Sequence, residues 1–105
     1  MEFSEFEFSL PKGLVDSEGG VHRYGMMRLA TGKDEIVIQK DRVVREDPGY
    51  KILVVLSNVI TRLGSVSLVT PKLLEELFLI DLIYLQEFFN RINQEDGGVL
   101  GMGEL

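Results

Sequence analysis

Residues 5–10 alternate between the two sides of an extended chain: Phe6, Phe8 and Leu10 fall on one side, Glu5, Glu7 and Ser9 on the other. A period of two belongs to a strand with one buried and one solvated face. Pro11-Lys12-Gly13 interrupts the alternation, and Asp16-Ser17-Glu18-Gly19-Gly20 reads as a turn. Val21–Leu29, with apolar positions at Val21, Tyr24, Met26, Met27 and Leu29, predicts a second strand. Its pattern is too irregular to assign a buried face, and Gly25 in its middle marks a candidate bulge. The two strands make a β-hairpin. A hairpin is marginal by itself in water, so its apolar face needs cover from the rest of the chain.

That cover is helical. Lys33–Gln39, carrying Ile36, Val37 and Ile38, suits a helix or a strand. Asp47-Pro48 opens a clear helix, with Asp47 as N-cap and Pro48 at the first helical position, where a missing N–H costs nothing. Tyr50, Leu53, Leu56, Ile60 and Leu63 form its apolar stripe, which predicts a helix to about Arg62 that stops at Gly64. Thr70-Pro71 repeats the start signal for a second helix over Lys72–Phe78. Asp81 is placed to cap a third, Leu82–Ile92, with the stripe Leu82, Leu85, Phe89 and Ile92. From Gln94 onward the chain has glycines at 97, 98, 101 and 103 and few side chains able to pack, so a mobile tail is expected. The fold class is α+β: one domain over residues 1–93, an N-terminal β-hairpin packed against three or so α-helices, followed by a glycine-rich tail over 94–105.

Charge and composition narrow the function. The chain has 105 residues, 17 acidic against 11 basic, for a formal net charge of -6. Binding nucleic-acid phosphates needs clustered Lys and Arg. The nearest approach, Lys40, Arg42 and Arg45, is interrupted by Asp41, Glu46 and Asp47, so no nucleic-acid partner is expected. The apolar runs Ile52–Leu56 and Leu77–Ile80 fall far short of the ~20 residues that span a bilayer, so no membrane partner is expected either. The N-terminus, Met1-Glu2-Phe3-Ser4-Glu5, has acids where a signal peptide carries positive charge, which points to the cytoplasm.

Candidate chemistry is sparse. Without cysteine the chain has no thiolate metal ligand, disulfide or cysteine nucleophile. His22 is the single histidine; with Asp16 and Glu18 it makes a poor zinc set, and a surface position on a strand is the expectation. Adjacent Glu75 and Glu76 on a helix diverge by roughly 100° and do not form an acid/base pair. Gly19-Gly20 precedes a strand instead of opening a helix, unlike a phosphate-cradling loop. No catalytic residue, metal site or cofactor is therefore assigned, and the chain is read as a non-enzyme that works through protein contacts. Two candidate partner-binding surfaces stand out. One is the strand edge around Glu5 and Phe8. The other is the stripe of Tyr84 and Phe88, four residues apart on one helix and flanked by Arg91; the alternative is that the hairpin or the first helix covers both rings as part of a wide core face.

Three stretches carry a family resemblance. Leu10-Pro11-Lys12-Gly13 followed by Val21-His22-Arg23-Tyr24-Gly25-Met26-Met27-Arg28-Leu29-Ala30-Thr31 resembles the N-terminal hairpin of the phage tail assembly protein family. Asp41-Arg42-Val43, Asp47-Pro48-Gly49-Tyr50 and Val59-Ile60-Thr61-Arg62-Leu63-Gly64 resemble its central helix. Leu77–Gln86 with Phe89-Asn90-Arg91-Ile92-Asn93 resembles its closing helix. Gly49 and Gly32-Lys33 depart from the family pattern. The resemblance spans most of residues 9–93 in order. It implies a role in building a phage-type tail or contractile injection system, by holding a tube, tape-measure or baseplate protein, and leaves the oligomeric state open. The alternative it allows is a structural component retained in the finished particle.

Overall fold

The computed structural model describes residues 4–94. Of the tail expected over 94–105, Gln94 instead ends the last helix, and residues 95–105 lie outside the described residues. The chain runs through β1 (Glu5–Val15), β2 (Val21–Arg28), α1 (Gly32–Lys40), α2 (Arg42–Glu46), a single 3₁₀ turn (Pro48–Tyr50), α3 (Lys51–Val59), β3 (Ile60–Leu63), α4 (Pro71–Leu74) and α5 (Leu79–Gln94). The fold is α+β, with one antiparallel sheet in the order β1-β2-β3 and the helices packed over one face.

The hairpin turn is closed by local hydrogen bonds. Asp16 N donates to Gly20 O at 2.8 Å, and Asp16 Oδ1 accepts from Glu18 N at 2.9 Å and Gly20 N at 2.8 Å. Pro11-Lys12-Gly13 breaks the pairing without ending β1. Between Ser9↔Tyr24 and Leu14↔His22, β1 advances five residues while β2 advances two, so the surplus loops outward from an edge strand, where proline is tolerated. Gly13 sits there at φ 106, in the region that a side chain disfavours. Gly25 pairs with Phe8 on one side and Leu63 on the other. It is a point of close approach: a methyl group there would overlap the Phe8 ring and the Arg62 carbonyl.

Two helix starts follow the local rules. Asp47 accepts from Gly49 N ahead of Pro48, and Thr70 accepts from Leu73 N ahead of Pro71. The helix ends do not. The first helix was expected to reach Arg62, but α3 stops at Val59, and Ile60–Leu63 pairs with β2 as a third strand. Val59, Ile60 and Thr61 are β-branched, and the open edge of β2 offers them a ladder that a longer helix would leave unpaired. α4 stops at Leu74, short of the expected Phe78, so the chain can turn and lay α5 against β1. α5 starts at Leu79, three residues before the expected Leu82. Its buried positions are Asp81, Leu85 and Phe88, while Leu82, Phe89 and Ile92 are half-buried at the margin of the core.

The core joins the inner face of the sheet (Phe8, Leu10, Leu14, Met27) to Leu56, Val59, Leu74, Leu85 and Phe88. One charged pair fixes the outer helices to this core. Arg28 donates from Nη1 to Asp34 Oδ2 at 2.9 Å and from Nη2 to Asp34 Oδ1 at 2.8 Å, and also to Asn58 O at 2.9 Å. Asp34 closes a capping box with Thr31 at the start of α1, so the Arg28–Asp34 pair ties β2, α1 and the end of α3 together. The Arg28 hydrogen bond, helped by Thr31, holds the Asp34 carboxyl at about 2 against a usual 3.8. Because the folded value is the lower one, this contribution of about 2 kcal/mol is fully present above pH 3.8 and disappears as pH falls through about 2. Urea midpoints at pH 5 and pH 2.5 should therefore differ more for the wild type than for Asp34→Asn. Equal differences in the two proteins would show that the pair contributes nothing.

Candidate partner-binding site

The structure brings together four of the five residues singled out from the sequence. Phe8 on β1 and Phe88 on α5 meet edge to face, with ring centroids 5.8 Å apart. Tyr84 stacks on Phe88 at 5.9 Å with an interplanar angle of 22°. The Arg91 guanidinium lies over the Phe88 ring, 5.3 Å from its centroid. Such contacts add about 0.5–1.5 kcal/mol for an aromatic pair and about 0.5–1 for an exposed cation over a ring, beyond the burial itself.

The arrangement matches the alternative in which the hairpin covers the stripe. Phe8 is 4% exposed and Phe88 7%, so both rings lie inside the core. Tyr84 is half-buried, and its hydroxyl accepts from Ser9 N at 3.2 Å. The hairpin covers this stripe because α5 is rotated: its inward line runs through Asp81, Leu85 and Phe88, not through Leu82, Leu85, Phe89 and Ile92. The cluster is a latch between α5 and β1. Glu5 lies apart from it, exposed on β1 and paired across the sheet with Arg28.

The strand edge is likewise occupied over part of its length. Antiparallel pairing sends alternate N–H groups of an edge strand outward. At Ser9 that group meets Tyr84. Further along, Asp81 Oδ1 accepts from Lys12 N at 2.7 Å and Asp81 Oδ2 from Gly13 N at 3.0 Å. The outward edge from Ser9 to Gly13 is thus capped by side chains of α5. Asp81 is 0% exposed, a carboxylate in the first turn of a helix, where acidic groups are favoured by the helix dipole. The sequence expectation made Asp81 the cap of its own helix; the structure makes it the cap of the β1 bulge. The signal for this was present, since Asp81 stands alone inside the apolar run Leu79-Ile80-Asp81-Leu82-Ile83, four residues before Leu85.

His22 is less open than a surface strand position implies. Its Nε2 lies 2.8 Å from Asp16 Oδ2, and its Nδ1 is 3.4 Å from Ser65 N. This hydrogen bond, with those from Gly20 and Glu18 N–H, lowers the Asp16 carboxyl below the usual carboxylate value. Among the described residues no group of three or more His, Asp or Glu side chains is placed to hold a metal ion, and no helix is long and apolar enough to cross a membrane.

The surface that remains outward is apolar where α5 begins. Phe78, Leu79, Ile80 and Ile83 are 51%, 69%, 51% and 46% exposed. The sequence reading missed these residues by setting the helix start too late. Beyond them the same face turns polar, with Glu87, Asn90 and Arg91 exposed. No family model, curated protein or solved structure matches this chain.

Proposed function

We propose that this chain is a non-enzymatic assembly factor for a phage-type tail or contractile injection system, working in the bacterial cytoplasm by holding a tube, tape-measure or baseplate protein before or during assembly. The observation that carries the reading is the resemblance, in order, of most of residues 9–93 to the phage tail assembly protein family. The character of the surface supports it. The acids most enclosed by the fold, Asp34 and Asp81, are engaged by Arg28 and Thr31 and by the β1 amides respectively, while several large apolar side chains face outward. A surface of that kind suits contact with another protein.

The test is co-expression of the tagged full chain with the tube, tape-measure and baseplate proteins of its own tail gene cluster, followed by purification of both the chain and the finished particles. One of these proteins should co-purify with the chain, and the chain should be absent from the particles. A fixed stoichiometry in the particles would replace this reading with that of a retained structural component. Failure to capture any of the three would remove it.

A further inference from the structure

We infer that the bare face of the sheet pairs with the same face of a second copy of this chain, about a two-fold axis running along β2, so that Glu7 of each copy meets Arg62 of the other. Self-pairing through this face is independent of which tail protein the chain holds.

The helices pack on the face of the sheet that carries Phe8, Leu10 and Met27. The opposite face carries the alternate residues: Glu5, Glu7 and Ser9 on β1, Tyr24 and Met26 on β2, and Arg62 on β3. Met26 is half-buried and the others are exposed, Tyr24 at 66%. Cross-strand register sets them in rows. Glu7 pairs with Met26, and Met26 with Arg62, so one row runs acid, apolar, base from β1 to β3. The neighbouring row places Ser9 beside Tyr24. Glu7, Tyr24, Met26 and Arg62 line one hollow of about 200 Å³ together with Gly25 and Phe8. Among the described residues neither Glu7 nor Arg62 has an ion-pair partner.

The row itself selects the occupant. A face with acid on one margin and base on the other is complementary to its own copy. Turning the copy over about an axis parallel to β2 exchanges the margins and leaves each row opposite itself. Glu7 then faces the other copy's Arg62, once on each side of the axis, while Tyr24 and Met26 front their equivalents. An axis running across the strands would set Glu7 against Glu7 and Arg62 against Arg62, so charge chooses between the two. The chosen axis also keeps the strands of the two sheets within about 30° of one another, the aligned packing of sheets about 10 Å apart. A Glu and an Arg side chain reaching from opposite sides close that gap. The remaining charges do not oppose the pairing. Arg28, across from Glu5, is committed to Asp34, and the Arg23 guanidinium lies 5.7 Å from the Tyr24 ring centroid. The face therefore sets Glu5 and Glu7 against Arg23 and Arg62, around a tyrosine of the kind that anchors interfaces.

The full chain is followed by sedimentation equilibrium and small-angle scattering over a concentration series up to about 1 mM. The wild type should associate to a dimer. Glu7→Arg sets an arginine against Arg62, and Arg62→Glu sets a glutamate against Glu7, so each change alone should weaken association at least about tenfold. The double exchange, Glu7→Arg with Arg62→Glu, returns opposite signs to both sides of the axis and should restore the dimer. An equimolar mixture of the two single variants should also pair, because each then meets opposite charge on both sides. Both positions are exposed, so far-UV dichroism and melting of every variant should match the wild type. A wild type that stays monomeric throughout, or a dimer that survives either single change, would overturn the pairing. So would folded variants that associate neither as the double exchange nor as the mixture.

Discussion

Changing Tyr84 and Phe88 together to alanine is expected to unfold much of the protein at temperatures where the wild type is intact. Phe88 is 7% exposed and packed between Phe8, Tyr84 and Arg91, and truncating one buried aromatic costs about 3–5 kcal/mol. For a domain of this size each kcal/mol moves the midpoint by about 4–8 °C, so Phe88→Ala alone should lower melting by at least about 12 °C. The Tyr84 change adds the loss of the acceptor for Ser9 N and of a stacked ring. Tyr84→Phe isolates the hydroxyl and should cost only about 0.5–1.5 kcal/mol, since the Ser9 amide is near solvent. Thermal melts of the three variants check the series. A double variant that melts with the wild type and loses only partner capture would show that the two rings are a docking surface and not a latch.

Asp81→Leu should destabilise by several kcal/mol even though it replaces a buried charge with an apolar side chain. Exchanging a buried ion pair for hydrophobic residues is often neutral, because both charged partners leave together. Here the partners are the backbone amides of Lys12 and Gly13, which no substitution removes. Each would be left without an acceptor, at about 1–3 kcal/mol apiece, in addition to the lost charge-assisted bonds. Asp81→Asn keeps one acceptor oxygen, so it should cost less, with one of the two amides still protected. Urea unfolding measures the total, and hydrogen exchange at Lys12 and Gly13 identifies the site. An Asp81→Leu variant as stable as the wild type, with both amides still protected, would show that the β1 bulge is held by other contacts.

Local chemistry by itself determined the elements whose causes lie within a few residues. The alternation of Glu5–Leu10, the Asp16–Gly20 turn, and the paired start signals Asp47-Pro48 and Thr70-Pro71 all appear in the structure as read, because a strand face, a turn and a helix cap are each satisfied by neighbours in sequence. The exclusion of a thiolate site or a disulfide followed from composition in the same direct way. Tertiary structure decided what depends on distant partners. Ile60 and Leu63 fit a helix stripe by spacing, yet they became a strand because β2 presented an unpaired edge to a β-branched run. Asp81 fits a helix cap, yet it turned inward because a bulge more than sixty residues earlier had two amides without acceptors. The placement of the candidate site residues followed from that same docking. α5 carries apolar residues around more than half its circumference, so periodicity alone admits several rotations. The bonds from Asp81 and Tyr84 to β1 select one rotation, which sends Phe88 into the core and leaves Leu79, Ile80 and Ile83 facing outward.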